Sequence, residues 1–78
     1  MYTESMQNAF RSLDHFCPKG FNVELVDNDH FITVRAPEKL FFNLSHDDKI
    51  RAVEYMIRVK KALEDNGAVV LILRKSMG

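Results

Sequence analysis

Any chemistry in this chain would have to come from a few reactive side chains: His15, His30, His46, the single thiol of Cys17, and the acids near them. Histidines are the side chains that titrate closest to neutrality, and a thiolate is a strong nucleophile and metal ligand. His15 and Cys17 stand two apart and could share a metal ion. A structural zinc site takes four ligands, however, and no second cysteine extends the pair. With no base fixed beside it, Cys17 reads as a small buried hydrophobe. The run His46-Asp47-Asp48 follows Ser45 where a helix begins, so capping and the helix dipole account for its acids. His30 falls in a turn. Glycine-rich phosphate loops, serine elbows and paired carboxylates in apolar settings are missing. The expectation is a non-enzyme with no cofactor and no metal.

The elements that would position these residues follow from periodicity. Thr3 caps a helix expected over 4–16, in which Met6, Ala9, Phe10, Leu13 and Phe16 recur at three- and four-residue steps until Pro18 and Gly20. From Phe21 the period becomes two. Phe21, Val23 and Leu25, then Ile32, Val34 and Ala36, predict a hairpin that turns at Asn28-Asp29 and sets Leu25 opposite Ile32 and Val23 opposite Val34. Pro37 ends its second strand, and the alternation of Leu40, Phe42 and Leu44 predicts a short third strand. Ser45 and Asp48 open a second helix that runs to Asp65 and stops at Asn66-Gly67. Its stripe of Ala52, Tyr55, Met56, Val59, Ala62 and Leu63 suits a sheet-facing surface. Ala68 to Leu73, apolar throughout, predicts a last strand buried on both faces.

The expected fold class is therefore α+β, in the order α-β-β-β-α-β. Its mixed four-stranded sheet, ordered 3-2-1-4, would carry two helices packed on one face, with the last strand parallel to the third and the first.

Size and composition bound the rest. Seventy-eight residues, 46% hydrophobic and 28% charged, make one small globular domain spanning 1–78. A lone cysteine forbids an internal disulfide and fits a reducing, cytoplasmic setting. The longest apolar run is too short to cross a bilayer, so no membrane association is expected. A domain this small gains weight as a self-associating one, because cross-links and metals are not on offer.

Net charge is zero, but residues 1–48 hold eight acids and four bases while residues 49–78 hold three acids and seven bases. That asymmetry raises RNA or DNA binding through Arg58, Lys60, Lys61, Arg74 and Lys75 as an alternative. The expected order of the first five elements resembles that of double-stranded-RNA-binding domains and of the small HicA-type RNA-cleaving toxins. The latter likeness would make His30 the strand histidine of a ribonuclease. The toxins' glycine-histidine signature is absent, since Asp29 precedes His30.

Apolar residues in excess of one core point elsewhere. Ile50, Val53 and Ile57 form a ridge beside the sheet-facing stripe, to be covered either by the first helix or by a partner. Val26, Phe31 and Phe41 form a second group expected on the outer face of the hairpin and third strand. The favoured expectation is a non-catalytic regulatory module, of the kind that small phage- or plasmid-borne inhibitor and accessory proteins represent. It would bind a protein partner or a second copy of itself as a homodimer.

Overall fold

The computed structural model describes residues 2–73. Its first helix, α1 (Glu4–Arg11), starts as expected, with Thr3 Oγ1 accepting from the Met6 amide at 3.2 Å. It ends sooner than its apolar pattern implied. The Ser12 hydroxyl donates to the Ala9 carbonyl at 2.7 Å, and the chain tightens into a 3-10 turn over Asp14–Phe16. Serine competes in this way for backbone groups at helix ends.

Strands β1 (Glu24–Asp27) and β2 (Ile32–Arg35) form the antiparallel hairpin. Its register is moved by two residues from the expected one: Leu25 lies opposite Val34 and Asp27 opposite Ile32. The turn is Asp29-His30, closed by the Asn28 amide donating to the Phe31 carbonyl at 2.9 Å. Asn28 Oδ1 accepts from the His30 amide, so its side chain nucleates the turn without the positive φ that an Asn28-Asp29 turn would need. A shift of two keeps every side chain on its expected face, whereas a shift of one would have inverted the sheet.

The third strand is not there. Residues Glu38–Phe42 form a short helix, α2, entered from Pro37 in an extended conformation. Over five residues the apolar pattern fits either period, and the helix wins because it turns Leu40, Phe41 and Leu44 together toward the core. A strand would have pointed Phe41 away. With the third strand gone, the element order no longer matches that of the RNA-binding domains.

Ser45 then caps α3 (His46–Asp65), its Oγ accepting from the Asp48 amide at 3.2 Å. The helix stops at Gly67, whose φ of +95° permits the Gly67 amide to reach the Glu64 carbonyl and the Ala68 amide to reach that of Leu63. Chain reversal here leads directly into β3 (Val70–Leu73).

β3 pairs in parallel with β2, Ile32 opposite Val70 and Arg35 opposite Leu73, giving a three-stranded sheet in the order β1-β2-β3. The expected 3-2-1-4 order, with the last strand parallel to the first, is thus replaced. β2 is the central strand, and Ile32, Thr33 and Val34 are all buried.

The molecule is a slab of 33 × 30 × 14 Å, one layer of helix on one of sheet. Met6, Ile32, Val34, Ala52, Tyr55, Met56, Val59, Leu63 and Val70 fill the space between the layers. The sheet-facing stripe of α3 is as the sequence indicates, with Ala62 only half-buried. β3, by contrast, is covered on one face alone. Val69, Leu71 and Leu73 remain 59%, 47% and 47% exposed, because both longer helices lie on the other side.

Candidate functional site

The two flanks of α3 differ in what they meet. On one flank Arg58 lies over the Phe16 ring at 4.0 Å, and Arg51, Glu54 and Tyr55 face the 3-10 turn. On the other flank Val53, Met56 and Ile57 face α2 and the end of β3. The first helix and its 3-10 extension therefore cover the wrong side to bury the Ile50, Val53 and Ile57 ridge. These three stay 48%, 41% and 55% exposed.

The ridge borders a groove of about 150 Å³ lined by Phe41, Phe42, Val53, Ile57, Ile72 and Leu73 among others. That is below the 300–1,000 Å³ usual for a small-molecule pocket, and the groove suits one or two inserted side chains. Phe42 stands half-exposed at its rim, with Lys49 5.8 Å over the ring. A single polar feature interrupts the lining: Glu38 Oε1 is sealed from solvent with no hydrogen-bond partner among the described residues. A buried carboxylate oxygen of this kind favours an incoming donor.

Next to the groove lies the free edge of β3. In the parallel ladder the Ile32 amide donates to the Val69 carbonyl at 2.8 Å, which places the backbone groups of Val69, Leu71 and Leu73 toward β2. Those of Val70 and Ile72 point outward. Edge strands usually carry a charge or proline that discourages pairing, and β3 from Val70 to Leu73 carries neither.

The second group expected from the sequence does not assemble. Val26 and Phe31 lie on the uncovered face of the sheet, but Phe41 belongs to α2 and packs edge-on to Phe21 at 6.3 Å. Val26 has Leu71 as its companion there, two strands away through the shared partner Thr33. Sequence reasoning missed Leu71, Leu73 and Phe42 as surface groups. The unbroken apolar run of β3 carries a signal for the two leucines, but such a run fits double-sided burial equally well.

Of the reactive side chains, the Cys17 thiol is partly buried and bonded, while His15, His30 and His46 are exposed. A polar hollow of about 370 Å³ on the α1 flank is lined by His15, Cys17, Tyr55 and Arg58 among others. The Cys17 thiol donates to the Phe21 carbonyl at 3.1 Å, and burial, with Asp14 adding to it, pushes the thiol's pKa up and away from the reactive thiolate. Burial also pushes the Tyr55 phenol up to about 12. The His15 ring lies tilted against that of Phe16, with centroids 4.1 Å apart, and His30 sits in the hairpin turn. Among the described residues no group of three or more His, Cys, Asp or Glu could hold a metal ion.

The described basic residues of α3 point in different directions. Arg58 is turned to the Phe16 flank, Lys60 on the groove flank is bound to Glu64 at 2.9 Å, and Lys61 is exposed between them. Arg74 and Lys75 lie outside the described residues. No helix among the described residues is long and apolar enough to cross a membrane.

Compared with protein-family models, with characterised proteins and with solved structures, the chain has no significant match.

Proposed function

We propose that this chain is a non-catalytic protein-binding module whose working face is the groove flank of α3 together with the edge of β3. The observation that carries this reading is the half-exposed ridge of Ile50, Val53 and Ile57, which no element among the described residues buries. Val53 and Ile57 of that ridge share the groove with Phe42 and Leu73, beside the outward-facing backbone of β3. Burying side chains of this type contributes on the order of 1 kcal/mol each at half exposure. Charged groups frame the ridge: Lys49, Lys60 and Glu64 on its own flank and Glu38 at the groove. An apolar centre with a charged rim is the ordinary anatomy of a protein interface.

RNA binding is the less favoured reading, because its described cations are spread around α3 and partly paired. The mechanism under the favoured reading is occlusion or scaffolding, since the site offers contact area and no activated group.

Ile57→Asp tests the assignment. Ile57 is 55% exposed, so the variant should keep the wild-type circular dichroism and a melting temperature within a few degrees. Complex formation, with itself or with a partner from the native host, should weaken at least tenfold, since an aspartate would be buried against apolar groups. Undiminished binding would remove the ridge from the interface. Loss of the fold would return it to the core.

A further inference from the structure

We infer that the occupant of this face is a second copy of the same chain, joined by antiparallel pairing of β3 with the partner's β3 about a two-fold axis at Leu71. The inference rests on the protein-binding reading above and names the partner. The resulting sheet has six strands in the order β1-β2-β3-β3-β2-β1, with all the α3 and α1 helices on one face.

The first argument is hydrogen bonding. Val70 and Ile72 each present one amide and one carbonyl to the free edge. In an antiparallel pair these groups are satisfied when Val70 lies opposite the partner's Ile72 and Ile72 opposite the partner's Val70. That register places Leu71 against the partner's Leu71 in the closer, non-hydrogen-bonded position, and Leu73 against the partner's Val69. Every side chain brought together on either face is apolar. No other fixed register centred on Val70–Leu73 keeps Val70 and Ile72 as mutual hydrogen-bonding partners.

The second argument is the spacing of the helices. α3 packs on both β2 and β3, so its axis lies over the gap between them. With strands about 4.8 Å apart, that axis is about 5 Å from the dyad, and the two α3 helices come to lie about 10 Å apart. Helices pack at 8–10 Å. They run antiparallel, and the side of α3 turned toward the dyad carries Val53 and the Lys60-Glu64 pair, with Ile57 and Ile50 above them on the rim away from the sheet. One operation therefore accounts for the open edge and for the Val53 side of the bare ridge.

The third is area. Phe42, Ile50, Val53, Ile57, Leu71 and Leu73 are each about half exposed. At roughly 80 Å² apiece they offer about 500 Å² of apolar surface, some 60% of the about 800 Å² a standard interface takes from each partner, which is the usual apolar share. The net charge of zero leaves no overall repulsion between copies.

The test uses the full chain of 9.1 kDa alone in solution. Sedimentation equilibrium over a hundredfold range of concentration should show the mass rising toward twice that of one chain. Amide exchange at Val70 and Ile72 should slow as concentration rises, while the amide of the exposed turn residue His30 should not respond. Leu71→Lys sets two cations face to face across the dyad and should weaken the dimer at least tenfold. A synthetic chain N-methylated at Ile72 keeps every side chain, blocks one edge amide and should dissociate similarly. A single-chain mass at every concentration overturns the inference. A dimer whose Val70 and Ile72 amides ignore concentration, or that tolerates both changes, overturns it as well. In each of these cases the protein-binding reading still stands or falls separately on Ile57→Asp.

Discussion

At the scale of single residues, burial and bonding hold the Cys17 thiol and the Tyr55 phenol in their neutral forms. Tyr55 is 2% exposed, and burial, with smaller contributions from Cys17 and Asp14, raises its phenol from 10.0 to about 12. A group raised in the folded state contributes stability that is complete below the unfolded value of about 10 and is lost as pH climbs through the folded one. Urea midpoints measured between neutrality and strong alkali should therefore drop above about pH 10, and Tyr55→Phe should blunt the drop. At the start of α3, Ser45→Ala removes the acceptor for the Asp48 amide and should cost about 1 kcal/mol in chemical denaturation. Gly67→Ala has open space for its new methyl group, so its expected loss of about 1 kcal/mol is purely the strain of a non-glycine residue at φ +95°.

Elements show which contacts matter and which are spare. Leu63 has no exposed surface and receives Ala68 against it at the end of α3, so Leu63→Ala should cost about 2–5 kcal/mol, read as a lower denaturation midpoint. Ile57, on the same helix and of similar size, should tolerate even aspartate in the isolated chain. The contrast between these two positions measures how far α3 is a core element and how far a docking surface. Along α3, four-residue spacing sets Asp47 near Arg51 and Glu54 near Arg58. Arg51 meets Asp48 at 3.6 Å rather than Asp47, and Arg58 goes to the Phe16 ring, because an aromatic face lies within its reach and is known only once the 3-10 turn is folded.

At the scale of the whole molecule, a slab with helices on one side alone must leave one sheet face and one sheet edge open. The open face carries Val26, Val69 and Leu71, and the open edge carries β3. An interface of this character predicts association that is nearly indifferent to salt, because its driving force is apolar burial. Fluorescence anisotropy with labelled single- and double-stranded RNA should show no saturable binding at moderate salt. A steep gain in oligonucleotide affinity as salt is lowered would instead revive the basic residues as a site.

The local features were legible in the residues themselves: the caps at Thr3 and Ser45, the stop at Gly67, the hairpin and the inward stripe of α3. Each depends on neighbours within a few positions, where hydrogen-bond geometry and period leave little choice. Leu40 to Leu44 was not legible, because four apolar residues in five positions satisfy two periods and only the core they meet selects the helix. Which flank of α3 stays bare, which strand lies beside β3, and whether an apolar strand is covered once or twice were decided by tertiary structure. Those outcomes turn on how three-dimensional layers divide a limited number of covering elements, a matter of long-range packing that spacing along a chain does not encode.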